Sequence, residues 1–273
     1  MPDDVNPPAN SVAQSSSVPE RSSRVTLVVA PALQPLMYSR RRGSRVELPD
    51  DGVSTVGHLI GSIGIPLTEI GDIVVGGRRV EPAWRPLADS TVEVGARPRP
   101  QPTPTHPPRF VLDVHLGTLA RRLRLLGVDA AWRNDATDDE LVAQAADEQR
   151  VILTRDHGLL LRRAVRDGAY VRGNNPDEQL RDALDRFRPP LVPWTRCPAC
   201  NALLEAVDKS EILDRIEPGT KRNYDNFALC RACTRVYWQG AHRDHLQRIV
   251  ATAETSLRVA ELAGRAGGAP GAT

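Results

Sequence analysis

Phe110-Val111-Leu112-Asp113, followed by the stretch from Leu116 to Gly127, decides the fold of this chain. Three apolar residues that end at an aspartate predict a short buried strand. Leucines then recur at positions 116, 119, 123 and 126, which is the spacing of one helix face, and the glycine that follows stops the helix. The stretch therefore predicts a strand–helix unit, from which parallel sheets are built.

The same alternation continues toward the C-terminus. Val151-Ile152-Leu153 is a second apolar strand, and it ends at Thr154-Arg155-Asp156. Further predicted elements are helices over 141–149, 159–165 and 176–186 and a short strand at Tyr170-Val171. Strands that alternate with helices indicate an α/β domain with a parallel sheet.

The region before this domain has a different pattern. Strands are predicted at 25–29, 44–48, 73–75 and 91–94, and a short helix is predicted at 55–63. The order ββαββ within roughly 75 residues describes a β-grasp domain. A proline-rich segment, residues 96–108, follows and is expected to be an extended, semi-rigid linker.

The chain has four cysteines, and they form two CxxC pairs, Cys197/Cys200 and Cys230/Cys233. Two residues between thiols let a tight turn direct both sulfurs at one tetrahedral ion, so two matched pairs predict a four-thiolate zinc site. The alternatives are two disulfides or a redox dithiol, but a redox CxxC would be expected once, near a βαβ pattern. Because four cysteines leave no open coordination position, the expected role of zinc is structural.

Bulk composition narrows the class of protein. The 273 residues suggest two domains or three small ones, and the net charge of +2 shows no general basic excess. Cysteines in metal-type spacing fit a reducing cytoplasm. No apolar run approaches the roughly 18 residues that span a bilayer. We expect a cytoplasmic protein with no membrane contact.

Acidic side chains stand where the predicted strands end. Asp113 and Asp156 each follow an apolar strand, and Asp138-Asp139-Glu140 opens the intervening helix. Carboxylates that converge at one sheet edge repel each other unless a hard cation such as Mg²⁺ or Mn²⁺ binds them. Each acid also has a structural explanation. The cluster after Thr137 is a capping box, Asp113 is a turn residue, and Asp156 pairs with Arg155 on the surface.

Several arginines lie near these acids. Arg121, Arg122 and Arg124 belong to the predicted helix after Asp113, and Arg155 precedes Asp156. Guanidinium groups bind phosphate oxygens, so these four are candidate RNA contacts. The alternative is a solvated helix face.

Separate motifs, in order, resemble the Mut-seven C-terminal RNase family. They are Phe110–Asp113, Leu116–Gly127, Asp138–Leu141, Ile152–Asp156, Cys197–Asn201 and Val236–His242. The resemblance implies a PIN-like nuclease domain followed by a zinc ribbon. Residues Val56–Ile60, Gly64–Ile70 and Val75–Gly77 are similar to the ubiquitin-like β-grasp unit found ahead of this domain.

The resemblance implies a function and a site. Asp113, Asp139 and Asp156 would be the catalytic, metal-binding acids, with Asp138 and Glu140 as additional candidates. The implied activity is hydrolysis of RNA phosphodiester bonds with Mg²⁺ or Mn²⁺, with no DNA expected as a partner and with the β-grasp domain as a docking module for a protein. The rival hypothesis is a non-catalytic adaptor that binds RNA or the ribosome.

The expected fold class is multidomain, combining α+β and α/β parts. The expected boundaries are a disordered leader 1–22, the β-grasp domain 23–95, the linker 96–108, the PIN-like domain 109–190, the zinc ribbon with a C-terminal helix 191–262, and a disordered tail 263–273.

Overall fold

The computed structural model of this chain describes residues 23–238, 240 and 243–266. The predicted leader 1–22 and residues 267–273 of the predicted tail lie outside the described residues. The predicted disordered tail, 263–273, starts too early, because residues 263–266 continue the last helix, Arg243–Ala266. No helix in the described part of the chain is both long enough and apolar enough to cross a membrane.

The N-terminal domain is a ubiquitin-like β-grasp unit, as predicted. Its elements are β1 (Arg24–Val29), β2 (Arg45–Pro49), α1 (Val56–Ser62), β3 (Ile70–Val75), β4 (Arg78–Val80) and β5 (Thr91–Ala96). The sheet order is β2-β1-β5-β3-β4, and the central pair β1/β5 is parallel. Alternate residues Val25, Leu27 and Val29 face the core. The Thr55 hydroxyl caps α1 by accepting the His58 N–H at 3.2 Å.

The central domain contains a four-stranded parallel sheet, which confirms the predicted α/β architecture. Its strands are β6 (Arg109–Leu112), β7 (Asp129–Trp132), β8 (Val151–Thr154) and β9 (Gly168–Tyr170), in the order β7-β6-β8-β9. Its helices are α2 (Gly117–Leu125), α3 (Asp138–Asp147), α4 (His157–Leu160) and α5 (Pro176–Phe187). Helix α4 ends at Leu160, earlier than the predicted helix 159–165.

The central strands are buried on both faces, which explains their continuous apolar sequences. Phe110 and Leu112 pack into one hydrophobic cluster with α2 and α5, while Val111 and Ile152 pack into another with α3 and α4. The two core layers hold the carboxyl ends of the strands at one edge of the domain.

The C-terminal part consists of a small antiparallel sheet and two helices. The sheet contains β10 (Glu205–Val207), β11 (Phe227–Leu229) and β12 (Val236–Trp238), in sequence order. Helix α6 spans Pro218–Asn223, and helix α7 spans Arg243–Ala266. Val250 and Ala253 of α7 join the core of the central domain.

The linker 96–108 lies against the central domain. Arg99 donates to Asp182 at 2.7 Å and to Asp185 at 2.6 Å, both on α5. Gln101 is buried, and its side-chain oxygen accepts from Arg186 Nε at 2.6 Å. The segment is therefore fixed along α5 rather than acting as a free spacer.

Candidate functional site

The candidate site lies at the carboxyl edge of the central sheet. Strand β6 has β7 on one side and β8 on the other. The chain therefore adds β7 on one side of β6 and then β8 and β9 on the other, and the switch point lies between β6 and β8. Open parallel sheets bind ligands at such a switch point, beyond the carboxyl ends of the strands. Asp113 directly follows β6, and Asp156 lies two residues after the end of β8, so the structure places both predicted acids at this edge.

One hydroxyl joins the two acids. The Thr154 hydroxyl donates to Asp113 Oδ2 at 2.6 Å and accepts the Asp156 backbone N–H at 2.9 Å. Asp113 is buried, with 7% of its surface exposed, and Thr154 is fully buried. Sequence reasoning missed Thr154. The sequence feature that could have identified Thr154 is its position at the end of an apolar strand, two residues before Asp156.

Asp156 also caps a helix. Its Oδ1 accepts the Gly158 N–H at 2.7 Å at the start of α4. The next residue, His157, lies against Tyr170, with ring centroids 4.7 Å apart. Burial lowers the pKa of His157, against the opposing effect of the Asp156 and Glu69 carboxylates. The imidazole is therefore favoured in its neutral form.

The acids of α3 do not join this unit. Thr137 and Glu140 form the capping box that was the structural alternative, and the pKa of Glu140 is lowered by the Thr137 backbone N–H and by Arg133. Asp138 and Asp139 both pair with Arg162, and the Asp139 side chain is 84% exposed. Among the residues the structure describes, the four cysteines are the only set of three or more ligands gathered within 4.8 Å. Asp113, Asp139 and Asp156 are therefore not assembled into a three-acid set.

The four candidate arginines have different surroundings. Arg121 is exposed, and its guanidinium carbon lies 5.8 Å from the centroid of the Trp132 ring. Arg122 pairs with Asp177 at 2.7 Å across α2 and α5, and Arg155 donates to the Gly173 carbonyl. Of the four, Arg121 presents its guanidinium most openly at this edge.

Arg124, predicted to contact RNA, is instead buried, with 1% of its surface exposed. Its Nε donates to the Ala130 carbonyl at 2.7 Å, and its Nη1 donates to the Pro198 and Ala199 carbonyls at 3.0 and 2.9 Å. A guanidinium committed to main-chain carbonyls inside the protein cannot reach a phosphate. Arg124 therefore joins α2 and β7 to the first cysteine turn.

The four cysteine sulfurs can hold one metal ion. The Cys197 and Cys233 sulfurs are 3.6 Å apart, and those of Cys200 and Cys230 are 3.4 Å apart. Disulfide sulfurs lie at about 2.05 Å, whereas thiolates about 2.3 Å from one tetrahedral ion lie somewhat under 4 Å apart. The spacing therefore fits a shared ion, and none of the four cysteines forms a disulfide in this structure.

Tyr237 supports one of these sulfurs. Its hydroxyl lies 3.0 Å from Cys197 Sγ. Burial acts to raise the pKa of Cys197, but hydrogen bonds from Tyr237 and from the backbone N–H groups of Cys200 and Ala199 outweigh it and lower the pKa to about 6. Because a thiolate is the metal-binding form, this environment favours metal binding through Cys197, whereas burial raises the pKa of Cys200 and of Cys233. Tyr237 was not singled out from the sequence.

Fold and site together define a multidomain α/β protein with an acidic switch-point edge and a cluster of four cysteines that can hold a metal ion. Residues 108–250 match the Mut7-C RNAse domain, and residues 22–103 match the Mut7-C ubiquitin domain. The chain therefore belongs to the Mut7-C RNAse domain family, and the predicted resemblance and domain order are confirmed. Comparisons with curated proteins and with solved structures found no match.

Proposed function

We propose that this chain is a metal-dependent ribonuclease that hydrolyses RNA phosphodiester bonds at the carboxyl edge of its central sheet. The observation that carries the proposal is the unit of Asp113, Thr154 and Asp156 at the switch point of a chain that belongs to an RNase family. The family supports a nuclease, and the position of the acids supports this edge as its site.

The donors at this edge fit a hard cation. Mg²⁺ is commonly bound through one or two carboxylates together with waters and substrate phosphates, so a third acid is not required. Asp113 and Asp156 would hold the ion. When bound, Mg²⁺ or Mn²⁺ would activate water and offset the charge of the phosphodiester transition state. Asp138, Asp139 and Glu140 stay outside the proposed ligand set because Arg162 and Arg133 already pair with them.

Thr154 and Arg121 would assist the two acids at this edge. Thr154 donates to Asp113 and so fixes the orientation of its buried carboxylate. Arg121, at the exposed face of α2, would bind a phosphate of the RNA backbone.

The four cysteines would hold zinc in a structural role, because thiolates select zinc over the hard cations of the acidic edge.

Cleavage of labelled single-stranded and structured RNAs tests the proposal. The zinc-loaded chain should cleave RNA when Mg²⁺ or Mn²⁺ is added and should be inactive without either. Asp113→Asn should lower turnover by about a hundredfold or more, because it removes a charged metal ligand. RNA binding should persist in this variant.

Asp147→Asn is the matched control, since Asp147 is exposed near the end of α3, away from the edge. This variant should cleave like the wild type. Cleavage by Asp113→Asn at the wild-type rate would place the site elsewhere or reveal a contaminant.

A non-catalytic RNA- or ribosome-binding adaptor is the second candidate, and one observation favours it. Asp156 caps α4, and Thr137 with Glu140 caps α3, which are roles that acids also have in proteins without activity. An adaptor would bind RNA without metal-dependent cleavage, and Asp113→Asn would leave its binding intact.

A further inference from the structure

An aromatic cavity lies between the C-terminal ribbon and the central domain. Its volume is about 230 Å³. Four aromatic side chains contribute to its lining: Trp194, Phe227, Tyr237 and Trp238. Enclosed sites for drug-sized ligands are larger, roughly 300–1,000 Å³, so this cavity is suited to a single ring system.

Trp194 adopts an unusual backbone conformation at this cavity. Its φ is 68°, in the left-handed region that bulky residues rarely enter. Its N–H donates to the Leu125 carbonyl at 2.9 Å, which ties the strained residue to the end of α2. Strain of this kind persists where the surrounding structure enforces it and is common at ligand sites.

Trp238 is the most exposed aromatic residue of the lining. The residue is 41% exposed, and its ring lies 6.4 Å from that of Phe227, centroid to centroid. An exposed indole beside the buried Phe227 ring offers a stacking surface that is accessible from solvent. Base stacking on such side chains is a main source of affinity in proteins that bind single-stranded nucleic acids.

The charges around the cavity favour a base over a phosphate. Among the lining residues that the structure describes, Arg196 is the one that is charged, and its guanidinium is already committed to the Gly127 carbonyl, the Asn201 carbonyl and Asp129. The exposed Asn226 adds an amide, which carries both donors and an acceptor and can pair with the edge of a base.

The cavity is within reach of the candidate edge. Helix α2 starts at Gly117, beside that edge, and its last residue, Leu125, lines the cavity. At a rise of 1.5 Å per residue, the two ends of the helix are about 12 Å apart. A single strand of a few nucleotides can span this distance.

We propose that this cavity binds one unstacked base of single-stranded RNA. The choice of RNA rests on the proposed function, whereas the stacking site rests on the aromatic lining and its strain. The cavity would hold the substrate strand beside the edge where the acids lie.

The test measures binding of a fluorescein-labelled single-stranded uridine oligonucleotide by anisotropy, with the zinc-loaded full chain and no added Mg²⁺ or Mn²⁺. Trp238→Ala should weaken binding about tenfold, which corresponds to about 1.4 kcal/mol. The slope of log affinity against log salt should not change, because no phosphate contact is lost. Trp238→Phe should restore most of the affinity.

An abasic oligonucleotide of equal length should bind wild type and Trp238→Ala equally, because it has no bases to stack. Leu203→Ala, which alters another exposed ribbon residue, should bind uridine RNA like the wild type. Zinc content and circular dichroism verify that each variant is folded. Wild-type affinity of Trp238→Ala for uridine RNA, or an equal loss on the abasic probe, would overturn the proposal. Because the readout is binding, absence of cleavage in the assay above would not affect it.

Discussion

Asp129, the first residue of β7, connects several parts of the chain. It accepts from Arg150 at 2.5 Å and from the Asn201 amide at 2.8 Å, and it lies 3.4 Å from Arg196. Burial acts to raise its pKa, but the hydrogen bonds from Arg150 and Asn201 and the nearby arginine charges lower the pKa below its usual value. The ionised carboxylate is therefore the form that stabilises the fold.

Asp129→Asn should lower the free energy of unfolding by about 2 kcal/mol or more at pH 7, because it removes the carboxylate charge that the buried Arg150 and the partly buried Arg196 share. The wild-type group has a lowered pKa in the folded state, so its contribution is complete above the unfolded value near 3.8 and is lost as pH falls through the folded value. The stability difference between variant and wild type should therefore be constant from about pH 7 to pH 5 and shrink below about pH 4. Urea unfolding across this range measures it. A difference that grows toward low pH would contradict this assignment.

Single residues also show how far sequence reasoning reaches. Asp113 and Asp156 were placed at the correct edge because a strand pattern fixes where a strand ends. The burial of Arg124 was predictable in principle, since it lies four residues after Ala120 on the buried face of α2. The hydrogen bond from Thr154 to Asp113 could not be predicted from the sequence, because it depends on β6 and β8 being neighbours in the sheet.

At the scale of elements, β7 depends on the cysteine turn beside it. The Ala130 N–H donates to Asn201 Oδ1 at 3.0 Å, and Arg124 connects the Ala130 carbonyl to Pro198 and Ala199. The free edge of this outer strand is thereby occupied by groups of the first CxxC segment. The first cysteine turn and the outer strand of the central sheet are therefore joined by hydrogen bonds.

Removal of the proposed zinc should therefore loosen β7 as well as the ribbon. Hydrogen exchange is the measurement: the Ala130 amide should lose protection when a chelator strips the metal, or in Cys230→Ser, because its acceptor lies in the metal-bound turn. The Ala169 amide, on the opposite edge strand β9, is the control and should stay protected. Unchanged exchange at Ala130 after complete metal loss would show that the turn is rigid without metal.

Elements with a strong apolar pattern were predictable, and weak ones were not. Strand β7 is Asp129–Trp132 with two alanines, and β4 is Arg78–Val80 with two arginines, so neither has the apolar or β-branched pattern of a strand. Both exist because a neighbouring strand offers a full hydrogen-bond ladder. The predicted helix 159–165 ends early: residues 161–164 form turns and a bend, and Val165 then packs into the core cluster that contains Leu159 and Leu160.

At the scale of the whole molecule, a buried ion pair joins the β-grasp domain to the central domain. Glu69 Oε2 lies 2.9 Å from Arg186 Nη1, and the two side chains are 2% and 3% exposed. The other oxygen, Oε1, accepts the Tyr170 N–H at 2.7 Å at the end of β9. One carboxylate of the first domain therefore satisfies a strand and a helix of the second, in addition to the contacts of the linker.

Glu69→Gln should destabilise the chain by about 3–5 kcal/mol, because it leaves Arg186 buried without a counter-charge. The β-grasp domain should then unfold separately, so that the single calorimetric transition expected of the wild type becomes two. Glu47→Gln breaks the exposed pair with Arg24 and should change stability by less than about 1 kcal/mol. If Glu69→Gln matched Glu47→Gln and kept one transition, the apolar contacts and Arg99 would suffice to hold the two domains. If the prediction holds, the β-grasp domain is held rigidly against the central domain. Any partner that binds the β-grasp domain would then lie at a fixed position relative to the acidic edge.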